Sequence, residues 1–227
     1  MARDRRIGIE VYVDTVCPWC YIGKKSLDEA VRSYKAQNNP DVEFDIVYKP
    51  FYLSAKPERP GQQSPSKEAV YLSRRTPEDR AQLLRRLGAA AAPYGTRWSW
   101  AGRLGSSRAS HRLLRLARGR GSDVQGRLLD EIFRGVFEEG QDVADPAFLA
   151  RAAAGLNLGG DEVRRCLREQ DAGVDEEARA AREDDEISTV PTFVVQGRWR
   201  VGGMQGKEVF ARLFDKAIKA QLKTSRM

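Results

Sequence analysis

The chain has no run of apolar residues approaching the roughly 20 that span a bilayer. With 31% charged residues and a mean hydropathy of −0.56, it is expected to be soluble. Its first six residues, Met1-Ala2-Arg3-Asp4-Arg5-Arg6, pass into a strand-like run with no apolar signal region, and they are too few for a transit peptide. The expected compartment is therefore the cytoplasm, where structural disulfides are rare. A single histidine and only three cysteines leave little material for a metal site. The net charge is +7, but the arginines that dominate it are scattered from Arg74 to Arg212. No basic segment is interleaved with stacking aromatics, so nucleic-acid binding is not expected. No tandem repeat or low-complexity tract is present. A mild attraction for anionic substrates remains compatible with the charge.

Against that scarcity, two of the three cysteines stand two residues apart, in Cys17-Pro18-Trp19-Cys20. Ile7, Ile9, Val11 and Val13 alternate with more polar residues in a period-two strand leading into the pair. A helical run from Tyr21 to Tyr34 leads out, its apolar face carrying Cys20, Leu27, Val31 and Tyr34 and its polar face Lys24, Lys25, Asp28 and Arg32. Asn38-Asn39-Pro40 ends that helix. Val42, Phe44, Ile46 and Tyr48 alternate again, so residues 7–49 read as a parallel β-α-β unit with a right-handed crossover. Two thiols at such a strand-to-helix junction form a redox motif. Pro18 suits the first helical position, and the positive helix end favours the Cys17 thiolate, lowering its pKa below the free value of about 8.5. Cys20 lies one turn further in, closer to the core. Cys17 then exchanges with a substrate in a mixed disulfide, and Cys20 resolves it. The alternatives are a zinc pair, which lacks further ligands because Cys166 and His111 are unpaired, and two cysteines with no joint role.

A Pro-, Ser- and Gly-rich loop, roughly Ser54 to Ser66, separates this unit from a long helical stretch reaching about Asp184. Thr76-Pro77-Glu78-Asp79 starts one helix with a threonine cap and a first-position proline. Further helices are expected near 108–118 and 124–137, after Asp145-Pro146, after Asp161-Glu162, and as a last, exposed acidic helix from Asp175 to Glu186. The pattern then returns to strands, Thr192 to Val195 and Trp199 to Val201 around a Gln196-Gly197 turn, and to an amphipathic helix from Lys207 to Leu222.

Taken in this order, the segments resemble the DsbA-like branch of the thioredoxin superfamily, and more closely its cytosolic FrnE-like oxidoreductases. The resemblance rests on Asp14-Thr15-Val16-Cys17-Pro18-Trp19-Cys20-Tyr21-Ile22-Gly23-Lys24, Val190-Pro191-Thr192-Phe193-Val194, Gly203-Met204-Gln205 and Phe137-Glu138-Glu139-Gly140-Gln141-Asp142. It covers nearly the whole chain. It implies an α/β, thioredoxin-like fold with an inserted all-helical subdomain: residues 1–60 and 186–227 form a discontinuous thioredoxin-like domain, and 61–185 the insertion. It implies a cis bond at Val190–Pro191, where the backbone before the proline pairs with an extended peptide or glutathione as an added strand. Cys17 and Cys20 become the catalytic pair, with Pro18, Trp19, Val190 and Pro191 binding substrate. Trp19, an uncharged wall beside the sulfur, points to a less oxidising pair than that of the periplasmic relative. Glu186 and Thr189 stand where the family often has glycines, and the extra C-terminal cysteine pair of some members is absent.

The function expected is thiol–disulfide exchange on protein or glutathione disulfides, with no tightly bound cofactor or metal and with glutathione as the small co-substrate. The alternative is a glutathione-dependent isomerase or transferase of the 2-hydroxychromene-2-carboxylate isomerase or kappa-class type, which needs no second thiol. A non-catalytic, chaperone-like binding module is a third reading. Asp14 is read either as a proton relay to Cys20 or as a turn residue satisfying backbone donors. His111, on an arginine-rich helix, is read as a surface or interface residue rather than a general base, and Cys166 as a small buried hydrophobe. Trp98 and Trp100 either line a groove over the thiols or plug two subdomains together. Monomer and homodimer are both compatible with the sequence.

Overall fold

The computed structural model describes residues 5–37, 41–54 and 63–224. The expected helix stop at 38–40 and most of the loop after Ser54 lie outside them. The sheet is built around β1 (Arg6–Val13), whose Ile7, Ile9, Val11 and Val13 are at most 1% exposed. β1 pairs in parallel with β2 (Glu43–Pro50), with Ile9 opposite Ile46 and Val11 opposite Tyr48. On its other side it pairs antiparallel with β3 (Thr192–Val195), which in turn pairs antiparallel with β4 (Trp199–Gly202), giving the order β2-β1-β3-β4. The β3–β4 turn uses Gln196 and Gly197 at positive φ, 54° and 62°.

Between β1 and β2 runs α1 (Pro18–Ala36), which begins three residues before the run from Tyr21, with Pro18 opening it behind the Cys17 cap as expected. After β4 comes α9 (Lys207–Thr224), which packs on α1 and on β1 and β3. Phe193, Phe210 and Phe214 join in edge and stacked contacts to bind that layer.

Seven helices lie between β2 and β3 among the described residues: α2 (Lys67–Leu72), α3 (Pro77–Ala91), α4 (Arg108–Arg118), α5 (Ser122–Phe137), α6 (Pro146–Ala152), α7 (Gly160–Arg168) and α8 (Ala172–Glu183). Thr76 and Asp145 cap α3 and α6 as their residue types dictate, accepting from the amides of Asp79 and Ala147. α8 sits three residues earlier than the acidic run suggests. It is half-buried rather than exposed, because Val174, Ala178 and Ala181 turn inward. α2 was not separated from its neighbours by its sequence.

Helices α4, α5 and α8 pack against β2. The Gln125 side chain accepts from the Tyr48 amide at 2.9 Å and donates to the Tyr48 carbonyl at 2.8 Å, closing the outer edge of β2 where a bare strand would invite pairing. Lys24 was expected on the polar face of α1, yet it is only 3% exposed. The inserted α5 covers it and supplies Asp130, which pairs with its ammonium alongside Asp28 on α1. One hydrophobic core thus runs from the sheet into α4–α7. No described helix is long and apolar enough to cross a membrane.

Candidate active site

β1 ends at Val13, and the next four residues carry the chain across the end of the sheet. The Cys17 amide donates to the Asp14 carbonyl at 2.9 Å, so Cys17 enters the N-cap of α1 with an extended backbone (φ −95°, ψ 114°). Its side chain makes no capping hydrogen bond, and Pro18 occupies the first turn. The sulfur is thus left beside the helix N-terminus, where an anion is favoured. Cys20 lies one turn further in and is fully buried. Both are free thiols, and the Cys20 thiol is hydrogen-bonded to Cys17. Burial pushes the Cys20 pKa well up, and that hydrogen bond with Cys17 adds to the rise.

The loop before β3 meets this turn. Val190–Pro191 is cis, as the resemblance implied. The Cys17 thiol donates to the Val190 carbonyl at 3.7 Å. Pro191 packs behind it against Gly23, and its carbonyl accepts from the Gly203 amide at 2.7 Å.

Over Cys17 opens a cavity of about 560 Å³. Ligand sites run from about 300 to 1,000 Å³. Cys17, Pro18, Trp19 and Val190 line it; Cys20 and Pro191 do not. Ile187, Ser188 and Thr189 lead into it before Val190; sequence reasoning missed the rest of the wall: Tyr71 and Leu83 from the helical stretch, Leu53 and Phe51 after β2, and two cations, Arg75 and Arg182. Among the described residues no carboxylate lines it. Arg75 Nε donates to the Tyr71 carbonyl at 3.0 Å and Arg182 Nη1 to the Tyr52 carbonyl at 2.8 Å, so both charges are tethered at the mouth. A third arginine, Arg86, lies 5.5 Å over the Trp19 ring. The Tyr71 hydroxyl donates to the Val16 carbonyl, and burial raises its pKa well above the ordinary tyrosine value, with Cys17, Asp14 and Cys20 adding to the effect.

Trp98 and Trp100 lie outside this cavity. Trp98 packs edge-on against Tyr21 and Phe137, and Trp100 against Tyr71, so they join the helical stretch to α1 and α2. Asp14 is 1% exposed. Its Oδ1 accepts from the Val16 amide at 3.3 Å and its Oδ2 from the Leu53 amide at 2.8 Å, which is the turn role; its own backbone also hydrogen-bonds to Cys20. His111 is not at the surface: it is 3% exposed, at the interface of α4 with the turn after β1, with Nε2 3.6 Å from Asp14 Oδ1. The inserted α4 delivers it, fixed one residue earlier by the Ser110–Thr15 hydroxyl contact at 2.7 Å. Cys166 is half-buried on α7, and burial raises its pKa.

The family described as DSBA-like thioredoxin domain matches residues 8–215. The chain belongs to that family. A probable DsbA oxidoreductase from Streptomyces coelicolor is 30% identical with a TM-score of 0.75, over 93% of this chain and 89% of that one. The uncharacterized protein YwbO of Bacillus subtilis is 27% identical over 96% of this chain and 98% of its own length. At 17% and 18% identity, the DsbA-like fold is shared with the cytosolic disulfide reductase DsbM of Pseudomonas aeruginosa, solved with glutathione, and with a 2-hydroxychromene-2-carboxylate isomerase. Their TM-scores are 0.56 and 0.57, covering 97% and 96% of this chain and 100% and 98% of theirs. The thioredoxin-like fold with helices inserted between β2 and β3 is thus the architecture of this DsbA-like chain.

Proposed function

We propose that this DsbA-like chain is a thiol–disulfide oxidoreductase acting on protein or glutathione disulfides, with Cys17 and Cys20 as its redox pair. The observation that carries this reading is the placement of Cys17 at the floor of the cavity beside the Val190 carbonyl, with Cys20 hydrogen-bonded beneath it. The Cys17 thiolate attacks a substrate disulfide; one substrate sulfur leaves as thiolate and the other is held in a mixed disulfide. Cys20 loses its proton and attacks the Cys17 sulfur. A Cys17–Cys20 disulfide forms, the second substrate thiolate leaves, and two electrons have passed to the substrate. The reverse sequence oxidises a dithiol. Trp19 and Pro18 form the apolar wall, Val190 holds the substrate backbone with Pro191 fixing its cis turn from behind, and Asp14, whose charge acts on Cys20, takes its proton.

Glutathione fits as co-substrate because its carboxylates meet a mouth carrying Arg75 and Arg182 and, among the described residues, no acid. DsbM, named a cytosolic disulfide reductase and solved with glutathione, supports both that ligand and a cytoplasmic setting. Residues 1–60 with 186–227 are assigned as the discontinuous redox domain and 61–185 as its helical insertion. Turnover of glutathione disulfide in a coupled assay tests the reading, and a Cys17→Ser variant with undiminished turnover refutes it. The isomerase reading keeps one supporting observation, the shared fold with a 2-hydroxychromene-2-carboxylate isomerase. Full glutathione-dependent activity in a Cys20→Ser variant would favour it, since that chemistry needs no resolving thiol.

A further inference from the structure

Cys20 is completely buried, so the proton it must lose cannot pass directly to solvent. Beneath it lies a second buried pair. Asp14 and His111 are 1% and 3% exposed, and His111 Nε2 faces Asp14 Oδ1 at 3.6 Å while having no hydrogen-bond partner among the described residues. An unpartnered polar atom this deeply buried is costly unless it has work to do. The Asp14 backbone bonds to the Cys20 sulfur, and the charge of the Asp14 carboxylate acts on that thiol, so Asp14 links the thiol to the imidazole it faces.

The geometry points to His111 as a positioning residue for the redox step, sharing with Asp14 the proton that leaves Cys20. This inference rests on the oxidoreductase reading above. The step balances as a proton transfer followed by exchange. The Cys20 thiol gives its proton to the Asp14–His111 pair, and the resulting thiolate displaces the substrate sulfur from Cys17. The pair then returns the proton to the departing thiolate or to solvent. No electrons pass through the pair. Histidine is the side chain that takes and releases protons around neutrality.

The surroundings of the imidazole are mixed. Tyr52 packs edge-on to it with ring centroids 5.5 Å apart, and a small cavity beside it is shared with Tyr48 from β2, Arg115 and Arg118 from α4, and Glu177 from α8. Two arginines and one glutamate there leave Asp14 as the charged group the ring faces directly.

His111 is the only histidine in the chain, so its ring gives one isolated set of imidazole resonances in the untagged protein. Its titration is to be followed by NMR in the dithiol and disulfide forms of the wild type. The midpoint should differ between the two forms, because only the dithiol form holds a Cys20 proton for the pair to share. Identical midpoints would overturn the proposal. If the wild type forms no Cys17–Cys20 disulfide, it is the oxidoreductase reading that fails instead.

A His111→Gln variant separates the two steps. With an aromatic disulfide that releases a coloured thiolate, a first phase reports attack by Cys17 and a second reports resolution by Cys20. The first phase should be unchanged and the second at least about tenfold slower at neutral pH, recovering as pH rises; proton-transfer groups typically contribute about 10²–10⁴-fold. Equal slowing of both phases, or of neither, would mark His111 as structural. Should this variant not fold, the wild-type titration still decides.

Discussion

The sulfur of Cys17 lies 3.7 Å from the carbonyl oxygen of Val190, a residue 173 positions further along the chain. What holds the two together is the contact behind them. Gly23, two turns into α1, has no side chain, and an added Cβ would lie 2.8 Å from Pro191 Cγ and 3.3 Å from Phe193 Cζ. Gly23→Ala should therefore push the Val190–Pro191 loop away from the thiol. Overpacking costs about 1–3 kcal/mol, and the better helix propensity of alanine returns about 1 kcal/mol, leaving a net loss of about 1 kcal/mol. Urea unfolding should show that loss, and disulfide exchange should slow by more than the stability change explains, since the cavity wall itself is displaced.

Tyr71 ties the helical stretch to the thiol-bearing turn through its hydrogen bond to the Val16 carbonyl. Tyr71→Phe keeps the ring and removes only that donor. A lost hydrogen bond of this kind costs about 1 kcal/mol. The expected result is that loss in denaturant unfolding, with a several-fold fall in kcat/KM for exchange. Unchanged kinetics would show that α2 does not govern the turn.

Arg75 and Arg182 are the cations of the cavity wall. Arg75→Gln combined with Arg182→Gln should raise KM for glutathione disulfide about tenfold while leaving exchange with a neutral disulfide little changed, because the charges steer rather than react. The wild-type rate with glutathione disulfide should fall as salt rises, and the double variant should lose most of that dependence. Equal effects on both substrates would remove the arginines from substrate selection.

Six of the seven tyrosines, Tyr12, Tyr21, Tyr34, Tyr48, Tyr52 and Tyr71, have raised pKa values; Tyr34 is pushed up to about 12 by burial and by its hydrogen bond to Asp215. For each, the unfolded chain releases its phenol proton near 10 while the folded chain keeps it. The stability they contribute is full below pH 10 and is lost as pH rises through the folded values. Cys20 acts in the same sense from its ordinary value of 9. Lys67, whose desolvated ammonium has its pKa pushed down to about 8, acts oppositely between there and its ordinary 10.5. Cys166 and Lys24, whose folded values are also raised, act with the tyrosines and Cys20, so the raised groups outnumber Lys67 and fix the sign. Urea midpoints should fall steeply above pH 10, and a midpoint flat to pH 12 would contradict the burial of these phenols.

The sheet was legible because its information is local. Alternation in 7–13 and 42–48 reports one buried face, and Thr76 and Asp145 announce their helices by residue type. The thiol pair was legible for the same reason. What stayed hidden depends on where the helices between β2 and β3 are laid down. His111 sits in an arginine-rich helix whose pattern does not say that Ser110 and His111 meet Thr15 and Asp14. Lys24 reads as solvated until α5 covers it. Tyr71 lies in a helix of six residues, too short to show a period, and Arg75 and Arg182 meet only through the tertiary fold. Trp98 and Trp100 were left between two roles; Trp98 bridges the helical stretch to α1 through Tyr21, while Trp100 packs on Tyr71 within that stretch, and neither lines the cavity. The one available signal for His111 was its shared neighbourhood with small polar residues, Ser106, Ser107 and Ser110, which suit a helix face pressed against a turn.

The central claim is that Cys17 and Cys20 exchange two electrons as a unit. Equilibration of the protein with glutathione and glutathione disulfide at graded ratios, followed by acid quench, alkylation and mass measurement, tests it directly. The account predicts a reversible two-electron transition in which both thiols become protected together and the intact chain loses two hydrogens, with Cys166 remaining alkylatable throughout. Two thiols that stay independently alkylatable at every ratio, or that form only mixed disulfides with glutathione, would contradict it.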